Sequence, residues 1–372
     1  MMQIGGRRVA PDEPTLLIAE IGSNHNRDRT ITRQLIDAVA KAGWDAVKFQ
    51  LFRADWLYPK NCGVIETPEG AVDFYEVLAR AELPPEWLPE LRQYAEARGL
   101  GFLCTPFDEL AVATLDELEV DAFKIASPEL NHLPLLHAAA ATGRPLICST
   151  GISRLSDIEE ALVIIRAAHA TASVALLQCT TAYPTPPDQA NLGAMVTLAQ
   201  AFGVPVGLSD HTMEVESSAA VSVALGGRII EKHVTLDRAL PGPDHSFAIV
   251  PAEMTRLAQA VRAIERLPEA DRLAKVMEQY GETLVRALRG HGRKEIMSVE
   301  APLYPCDKRS IHALADLQAG AVLSTANMRI LRSERNLRPG LHPRHFQEIL
   351  GARLQRPVAL GEGIQWEQLI AR

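Results

Sequence analysis

The chain has 372 residues, 47% hydrophobic and 23% charged, enough for one large core plus a small one, which excludes a small binding module, a disordered chain and a collagen-like repeat. Net charge is −8 at pH 7 but uneven: residues 306–372 carry ten Lys and Arg against six Asp and Glu, leaving −12 for the rest. That balance excludes a nucleic-acid protein, and no apolar run approaches the roughly 20 residues needed to cross a bilayer.

Eight short runs rich in apolar and β-branched residues, at 16–20, 46–50, 101–106, 122–127, 145–150, 174–179, 204–210 and 228–233, alternate with stretches of helical periodicity at 30–42, 85–98, 110–118, 156–169 and 215–225. A further helix at 251–267 follows the eighth run. Eight β/α units in 265 residues or so predict an α/β fold, a TIM (β/α)8 barrel, with a doubly wound open sheet as the alternative. Residues 268–288 read as a polar helix, and Arg289-Gly-His-Gly-Arg-Lys294 reads as a solvated linker, since it lacks periodicity and the flanking strand of a phosphate-cradling loop. The resulting division is a barrel over 1–268, a linker over 269–305 and a small, mostly β domain over 306–372 with strand-like pieces at 310–315, 321–323, 338–340 and 357–360. So small a domain is marginal as an isolated core and is expected to lean on a partner. The five cysteines (Cys62, Cys104, Cys148, Cys179, Cys306) are odd in number with no C-x-x-C pair, and no secretory leader is visible, so a reduced cytoplasm is expected. They read as small buried hydrophobes without a chemical role.

Polar residues cluster at the C-terminal ends of the eight runs: Glu20, Lys48 and Gln50, Thr105, Lys124 and Ser127, Ser149, Thr181 and Tyr183, Ser209 and His211, Glu231 and His233. A barrel builds its active site at that face. The two-residue period of a strand aims Glu231 and His233 one way and Lys232 the other, and it pairs Lys48 with Gln50 and Ser209 with His211. Lys48 and Lys124 are buried cations that need either an anionic ligand or a structural carboxylate such as Glu20 or Glu129. The hydroxyls of Thr105, Ser127, Ser149 and Ser209 suit a phosphate and a carboxylate, or simply satisfy strand-end backbone groups. His211 and His233 end adjacent strands, and with Glu20 they would make a divalent-metal site able to polarise a carbonyl oxygen. Gly22-Ser-Asn-His25 reads first as a loop.

Nine ordered motifs then stand out: Ile18-Ala-Glu-Ile-Gly-Ser-Asn-His25, Val47-Lys-Phe-Gln50, Thr105-Pro-Phe-Asp108, Phe123-Lys-Ile-Ala-Ser127, Ser149-Thr-Gly151, Cys179-Thr-Thr-Ala-Tyr-Pro184, Gly207-Leu-Ser-Asp-His-Thr212, Glu231-Lys-His233 and Pro241-Gly-Pro-Asp244. Over nearly its whole length the chain resembles the N-acetylneuraminate (sialic acid) synthase family, which includes legionaminate and pseudaminate synthases. Its last segment, with Lys308-Arg-Ser-Ile311 and Arg338-Pro-Gly340, resembles their antifreeze-like (SAF) domain. Thr181 stands where some members place an Asn, and Lys308 where an Arg is common.

The resemblance implies an aldol-like condensation in which C3 of phosphoenolpyruvate adds to the aldehyde of an N-acetylated hexosamine such as N-acetylmannosamine, or a 2,4-diacetamido sugar, and phosphate is released. It implies a divalent metal on His211 and His233, manganese first, with magnesium or cobalt as substitutes. It further implies phosphoenolpyruvate on Lys48, Thr105, Lys124, Ser127, Ser149, Ser209 and Thr181, sugar contacts at Gln50, Glu129, Tyr183 and Asp244, and Glu20 and Glu231 handling protons and water. Finally it implies a domain-swapped homodimer whose SAF domain roofs the partner's barrel, with Arg309 reaching the N-acetyl group. A related condensation making Kdo-type or heptulosonate sugars is disfavoured by the Asp-His-Thr and Glu-Lys-His spacing. A non-enzymatic ice- or sugar-binding role is disfavoured by nine arginines and one Thr in 306–372, because a cationic face is strongly hydrated.

Overall fold

The structure is a computed structural model that describes residues 2–67, 70–334 and 336–370. Eight parallel strands close into a barrel in chain order: Leu16–Gly22, Ala46–Leu51, Gly101–Pro106, Phe123–Ile125, Leu146–Ser149, Val174–Gln178, Val206–Asp210 and Ile229–His233. Each of the eight expected runs holds one of them, so the barrel stands and the open sheet does not. Alternation along each strand divides the side chains. Leu16, Ile18, Ala46, Leu103, Ala122, Ile147, Ala175, Leu177 and Ile229 fill the lumen. Leu17, Ala19, Ile21, Val47 and Phe49 face outward into the core shared with the helices.

Helix Arg29–Lys41 shows why the helices form where they do. Asp28 accepts hydrogen bonds from the N–H groups of Thr30 and Ile31, and Thr32, Leu35, Ile36 and Val39 present one buried stripe to the strands. Helix Glu109–Glu117 is capped likewise by Asp108, whose carboxylate accepts from Ala111 N–H.

Two features were not foreseen in the sequence, and a third was foreseen only in part. An antiparallel hairpin of Met2–Ile4 with Arg7–Val9 plugs the floor of the barrel, with Met2, Ile4 and Val9 joining the lumen side chains. The segment between the second and third strands carries a short helix, Ala54–Leu57, a hairpin, Val64–Thr67 with Gly70–Asp73, and a helix, Phe74–Ala81. Its cluster of Phe52, Leu57, Tyr58, Cys62 and Phe107 also takes Leu337 from the terminal domain. The polar helix expected over 268–288 is present as two, Glu269–Tyr280 and Glu282–Arg289, and their Val276, Val285 and Leu288, in the stretch expected as a linker, are buried in the main core. Their polar outer faces hid that stripe from a reading by composition.

The terminal domain is built on an antiparallel pair, Arg309–Ala313 with Met328–Arg332, and its own core of Ile311, Leu323, Met328, Leu341, Leu354 and Ile364. The expected pieces at 321–323 and 357–360 make only isolated bridges, Val322 to Arg353 and Leu317 to Val358, while Met328–Arg332 was missed because Arg329 and Arg332 interrupt its apolar run. Arg338-Pro-Gly340 is no strand but a close crossing: a Cβ on Gly340 would stand 1.9 Å from the Ile311 carbonyl oxygen.

Gly207, on the seventh strand, is the tightest point of the barrel wall. A Cβ there would lie 2.2 Å from the Ile229 carbonyl oxygen, a backbone atom held in the ladder. Gly207→Ala is expected to destabilise the fold by about 1–3 kcal/mol, read as a lower urea midpoint with unchanged slope. A midpoint equal to that of the parent protein would show that the wall yields.

Candidate functional site

The strand ends converge on a cavity of about 60 Å³ lined by Glu20, Lys48, Gln50, Thr105, Lys124, Ser127, Ser149, Cys179, Tyr183, Ser209, His211, Glu231 and His233. Register brings them together. Glu20 lies beside His233 on one neighbouring strand and Lys48 on the other, Gln50 beside Thr105, and Ser209 beside Glu231. A bulge between Glu20 and Gly22 turns the first strand end inward, and Gly22, at φ +53°, leaves room for Glu20 and Gln50; a Cβ there would meet their side-chain atoms at 3.0 and 3.2 Å.

Four ionisable groups form one buried array. Lys48 Nζ lies 2.6 Å from Glu20 Oε2 and 3.7 Å from Glu231 Oε1, and Lys124 Nζ lies 3.3 Å from the same Glu231 oxygen. Lys48 also donates to Thr105 Oγ1 (3.1 Å), Gln50 to Glu20 Oε1 (2.5 Å) and Ser209 Oγ to Glu231 Oε1 (3.3 Å). Of the two sequence alternatives for the lysines, the structure shows the structural carboxylate, with Glu20 beside Lys48 as expected and Glu231, not Glu129, beside Lys124. Burial would drive Lys48 to lose its proton, but Glu20 and Glu231 outweigh it and hold the ammonium above its ordinary range. The two carboxylates part ways. Burial, reinforced by Glu231, pushes Glu20 up despite Lys48. Glu231 is also pushed up by burial, yet Lys124 and Lys48 outweigh that and bring it below the usual carboxylate value.

Ser149 Oγ, Thr181 Oγ1 and Glu231 Oε2 are buried with no hydrogen-bond partner, and Ser127 Oγ accepts from Gly151 N–H at 2.9 Å. A buried hydroxyl left without a partner, as at Ser149 and Thr181, is uncommon in a folded protein and marks spare hydrogen-bonding capacity at this point. Lys232 points away, as alternation requires, onto Asp210 (2.5 Å) and the carbonyls of Thr212 and Glu214.

His211 and His233 face each other with ring centroids 5.6 Å apart. His211 Nδ1 donates to the Thr180 carbonyl (3.0 Å), which in the neutral ring leaves Nε2 with its lone pair free; burial favours that neutral form, but the Cys179 thiol and the Thr180 carbonyl outweigh it and raise the ring above its ordinary value, while His233 Nδ1 is buried without a hydrogen-bond partner. Burial and the positive charges around it push His233 well below its ordinary value, so its ring is neutral. Two neutral-capable imidazoles with an orphaned nitrogen fit a divalent ion as a two-histidine site. The expected third ligand does not fit: among the described residues no three His, Cys, Asp or Glu side chains form a ready metal cluster, because Glu20 is turned onto Lys48 and Gln50. Asp244 Oδ2, 3.8 Å from His233 Nδ1 and 3.1 Å from Ser23 Oγ, stands nearer the ring. Tyr183 lies across the opening, half exposed, its ring 4.2 Å from that of His211. His25 is a loop residue whose Nδ1 accepts from Arg27 N–H.

Glu129 and Arg309, both expected at the sugar, meet each other, and within this one chain neither lines the cavity. Both are fully buried, with Arg309 Nε 2.6 Å from Glu129 Oε2, and Arg332 pairs with the other oxygen. Arg309 also donates to the carbonyls of Trp56, Ile330 and Phe107, and its own backbone exchanges hydrogen bonds with the Asn131 amide. Burial pushes Glu129 up, but the two guanidiniums outweigh it and hold the carboxyl below its ordinary value. Sequence reasoning also passed over Cys179, which lines the cavity with Sγ 3.8 Å from His211 Nδ1, and over Arg332 and Glu300. The first read as packing, and the others lay in stretches without a motif.

A model of the NeuB family matches residues 35–271. The chain belongs to the NeuB family. A SAF-domain model matches residues 308–370, the terminal β domain. Among relatives of this NeuB-family chain, the spore coat polysaccharide biosynthesis protein SpsE of Bacillus subtilis (strain 168) is 36% identical over 373 residues, covering 100% of this chain and 97% of that protein. The SpsE crystal structure matches with a TM-score of 0.82 at 35% identity, covering 100% of this chain and 99% of that one. N,N'-diacetyllegionaminic acid synthase of Legionella pneumophila is 34% identical, covering 95% of this chain and 94% of that enzyme. The N-acetylneuraminic acid (sialic acid) synthetase of Leptospira borgpetersenii, solved with citrate, matches with a TM-score of 0.64 at 30% identity, covering 76% of this chain and 97% of that one. This member of the sialic, legionaminic and pseudaminic acid synthase family is therefore a barrel with a SAF domain, and among its described residues no helix is long and apolar enough to cross a membrane.

The Glu129 pairs carry a pH signature. Their contribution is present above the ordinary carboxyl value of 4.5 and is lost as pH falls through the depressed folded-state value. Glu129→Gln is expected to lower stability by about 3–5 kcal/mol at pH 7, leaving buried guanidiniums uncompensated, with the gap to the parent closing below pH 4 or so. Urea titrations across pH test this, and a pH-independent gap contradicts it.

Proposed function

We propose that this NeuB-family protein condenses phosphoenolpyruvate with an N-acetylated hexosamine such as N-acetylmannosamine to give a nine-carbon 2-keto acid and inorganic phosphate. The observation that carries the reading is the pair of buried lysines set among hydroxyls, those of Ser149 and Thr181 unpartnered, beside two neighbouring imidazoles. A ligand with three negative charges offers Lys48 and Lys124 what Glu20 and Glu231 now share, and the hydroxyls of Thr105, Ser127, Ser149, Thr181 and Ser209 suit its phosphate and carboxylate oxygens. A divalent ion on His211 and His233, manganese first, then magnesium or cobalt, would supply Lewis acidity at the sugar's aldehyde oxygen.

The chain's own groups divide the proton work along the split between the carboxylates. C3 of phosphoenolpyruvate forms a bond to the aldehyde carbon, and the aldehyde oxygen takes a proton from Glu20, the carboxyl held up by burial. Glu231, held ionised by Lys124 and Lys48, takes a proton from the water that adds at C2. The C2–O bond to phosphate then breaks, phosphate leaves with the Glu231 proton, and the C2 hydroxyl passes its proton back to Glu20, which makes the ketone and restores both carboxyl groups. Gln50 and Tyr183 line the cavity where the sugar would enter and Asp244 stands beside His233 next to it, while Glu129 and Arg309 support the wall behind. A 2,4-diacetamido sugar is the second reading, favoured by the near full-length match to the Legionella N,N'-diacetyllegionaminic acid synthase.

A homodimer with exchanged tails belongs to the same proposal, as does action in the cytoplasm. In this structure Arg309 and Arg332 hold the Glu129 of their own chain. Because domain exchange reuses identical contacts between copies, the same groups would dock a partner's tail.

Two measurements test this section. Phosphate release from phosphoenolpyruvate should require divalent metal and one sugar of a panel holding N-acetylmannosamine, its 6-phosphate and 2,4-diacetamido hexoses, and Lys124→Ala should lower kcat/KM at least about tenfold, a lost charge-assisted contact being worth roughly 1.5–3 kcal/mol. No release with any sugar, or an unaltered Lys124→Ala, removes the reading. Mixing and re-equilibrating two inactive variants, His233→Ala and Arg309→Ala, should restore activity through sites with an intact barrel and an intact tail. A mixture as dead as its parents assigns each tail to its own barrel.

A further inference from the structure

Residues 290–308 run from the last barrel-side helix across the strand ends to the terminal domain, and one carboxylate in this strap, that of Glu300, is fully buried. Its Oε1 accepts hydrogen bonds from the N–H groups of Ile152 (2.7 Å) and Thr181 (2.8 Å), and its Oε2 from Met297 N–H (3.0 Å). Ile152 and Thr181 stand just past the fifth and sixth barrel strands. A single oxygen from outside the barrel therefore ties together two loops of the cavity mouth.

Both loops have functional groups one residue away. Ile152 stands at φ +42°, a left-handed conformation that a β-branched residue keeps only when its surroundings hold it. The preceding residue, Gly151, donates its N–H to Ser127 Oγ, and a Cβ on Gly151 would stand 2.3 Å from Thr181 Oγ1 and 2.9 Å from Ser127 Oγ. The turn and the two hydroxyls are thus packed against each other without slack. At the other loop, the Thr181 N–H and the Thr180 carbonyl belong to one planar peptide, so fixing the first fixes the second. That carbonyl accepts from His211 Nδ1 at 3.0 Å and so sets which ring nitrogen faces the cavity.

We propose that Glu300 is a positioning residue of the active site: its carboxylate sets at once the hydroxyl turn that receives the phosphate group and the peptide that orients His211. The proposal rests on the phosphoenolpyruvate reading above and adds to it a residue contributed by the strap. A carboxylate that merely clasped the strap would alter stability and leave ligand affinity alone.

The test titrates the full-length protein calorimetrically with phosphoenolpyruvate and, separately, with manganese, alongside thermal midpoints and the phosphate-release assay. Glu300→Ala, and Glu300→Asp, whose carboxylate is one methylene short of the two N–H groups, should each bind both probes about tenfold or more weaker. Glu300→Gln, which keeps one acceptor oxygen for Ile152 and Thr181, should stay within about threefold of the parent. If Glu300→Ala fails to fold, the Asp and Gln variants decide. Parent-like affinity in Glu300→Asp, or a Glu300→Gln as weak as Glu300→Ala, overturns the positioning role while the parent's turnover leaves the proposed reaction standing. A parent protein that neither binds phosphoenolpyruvate nor releases phosphate rejects the reaction, and the positioning role with it.

Discussion

The closed charge array at the barrel mouth is the constraint on which the rest of the structure depends. Lys48, Lys124, Glu20 and Glu231 are all removed from water, and each ion left unpaired there costs several kcal/mol. Attraction alone does not place them. The parallel ladder sets Glu20 beside Lys48 and Ser209 beside Glu231, so the charges meet because backbone register fixes their heights and alternation fixes their direction. Below them the lumen is filled by apolar side chains and closed by the N-terminal hairpin, which keeps water from the array's underside and sharpens its electrostatics. The two carboxylates respond oppositely because Glu231 sits between two ammonium groups and Glu20 beside one.

The same logic governs the terminal domain. Its core is small, and its attachment to the barrel centres on a buried carboxylate, Glu129, gripped by Arg309 and Arg332. Around that pair, Leu337 enters the cluster of Phe52, Leu57, Tyr58 and Phe107, and Arg329 stacks on Trp56 at 4.3 Å. The insertion after the second strand, which contributes nothing to the barrel itself, thus provides much of the seat for the tail. The strap between them is threaded as firmly: Asn191 bonds Gly292 and Arg293, Lys308 pairs with Asp157 at 3.1 Å, and Glu300 closes the mouth from outside. Barrel, strap and tail are joined by charge-assisted contacts whose partners lie far apart in the chain.

The barrel was legible because its signals are local. Apolar runs of strand length alternate with capped helices, as in the Asp28-headed helix, and polar residues gather at one end of each run. Lys48, Lys124, Ser127, Ser149, Ser209, His211, Glu231 and His233 were all found at the cavity on that basis. The departures share a cause. The helices at 269–289 hid their buried stripe among charges, Met328–Arg332 was broken up by arginines that face Trp56 and Glu129, and Cys179 carries no pattern that separates a packing thiol from a cavity-lining one.

By itself, the sequence determined strand and helix order, the end of the barrel at which chemistry gathers, and which side chains on one strand share a face, since each follows from periods of 2 and 3.6 residues. Partnership was decided only in three dimensions. That Glu231 rather than Glu129 answers Lys124, that Arg309 closes on Glu129 instead of standing over the cavity, and that Glu300 reaches Ile152 and Thr181 are matters of distance between segments up to 180 residues apart. Local periodicity carries no information about such distances; they are set by how the barrel closes and where the tail comes to rest upon it.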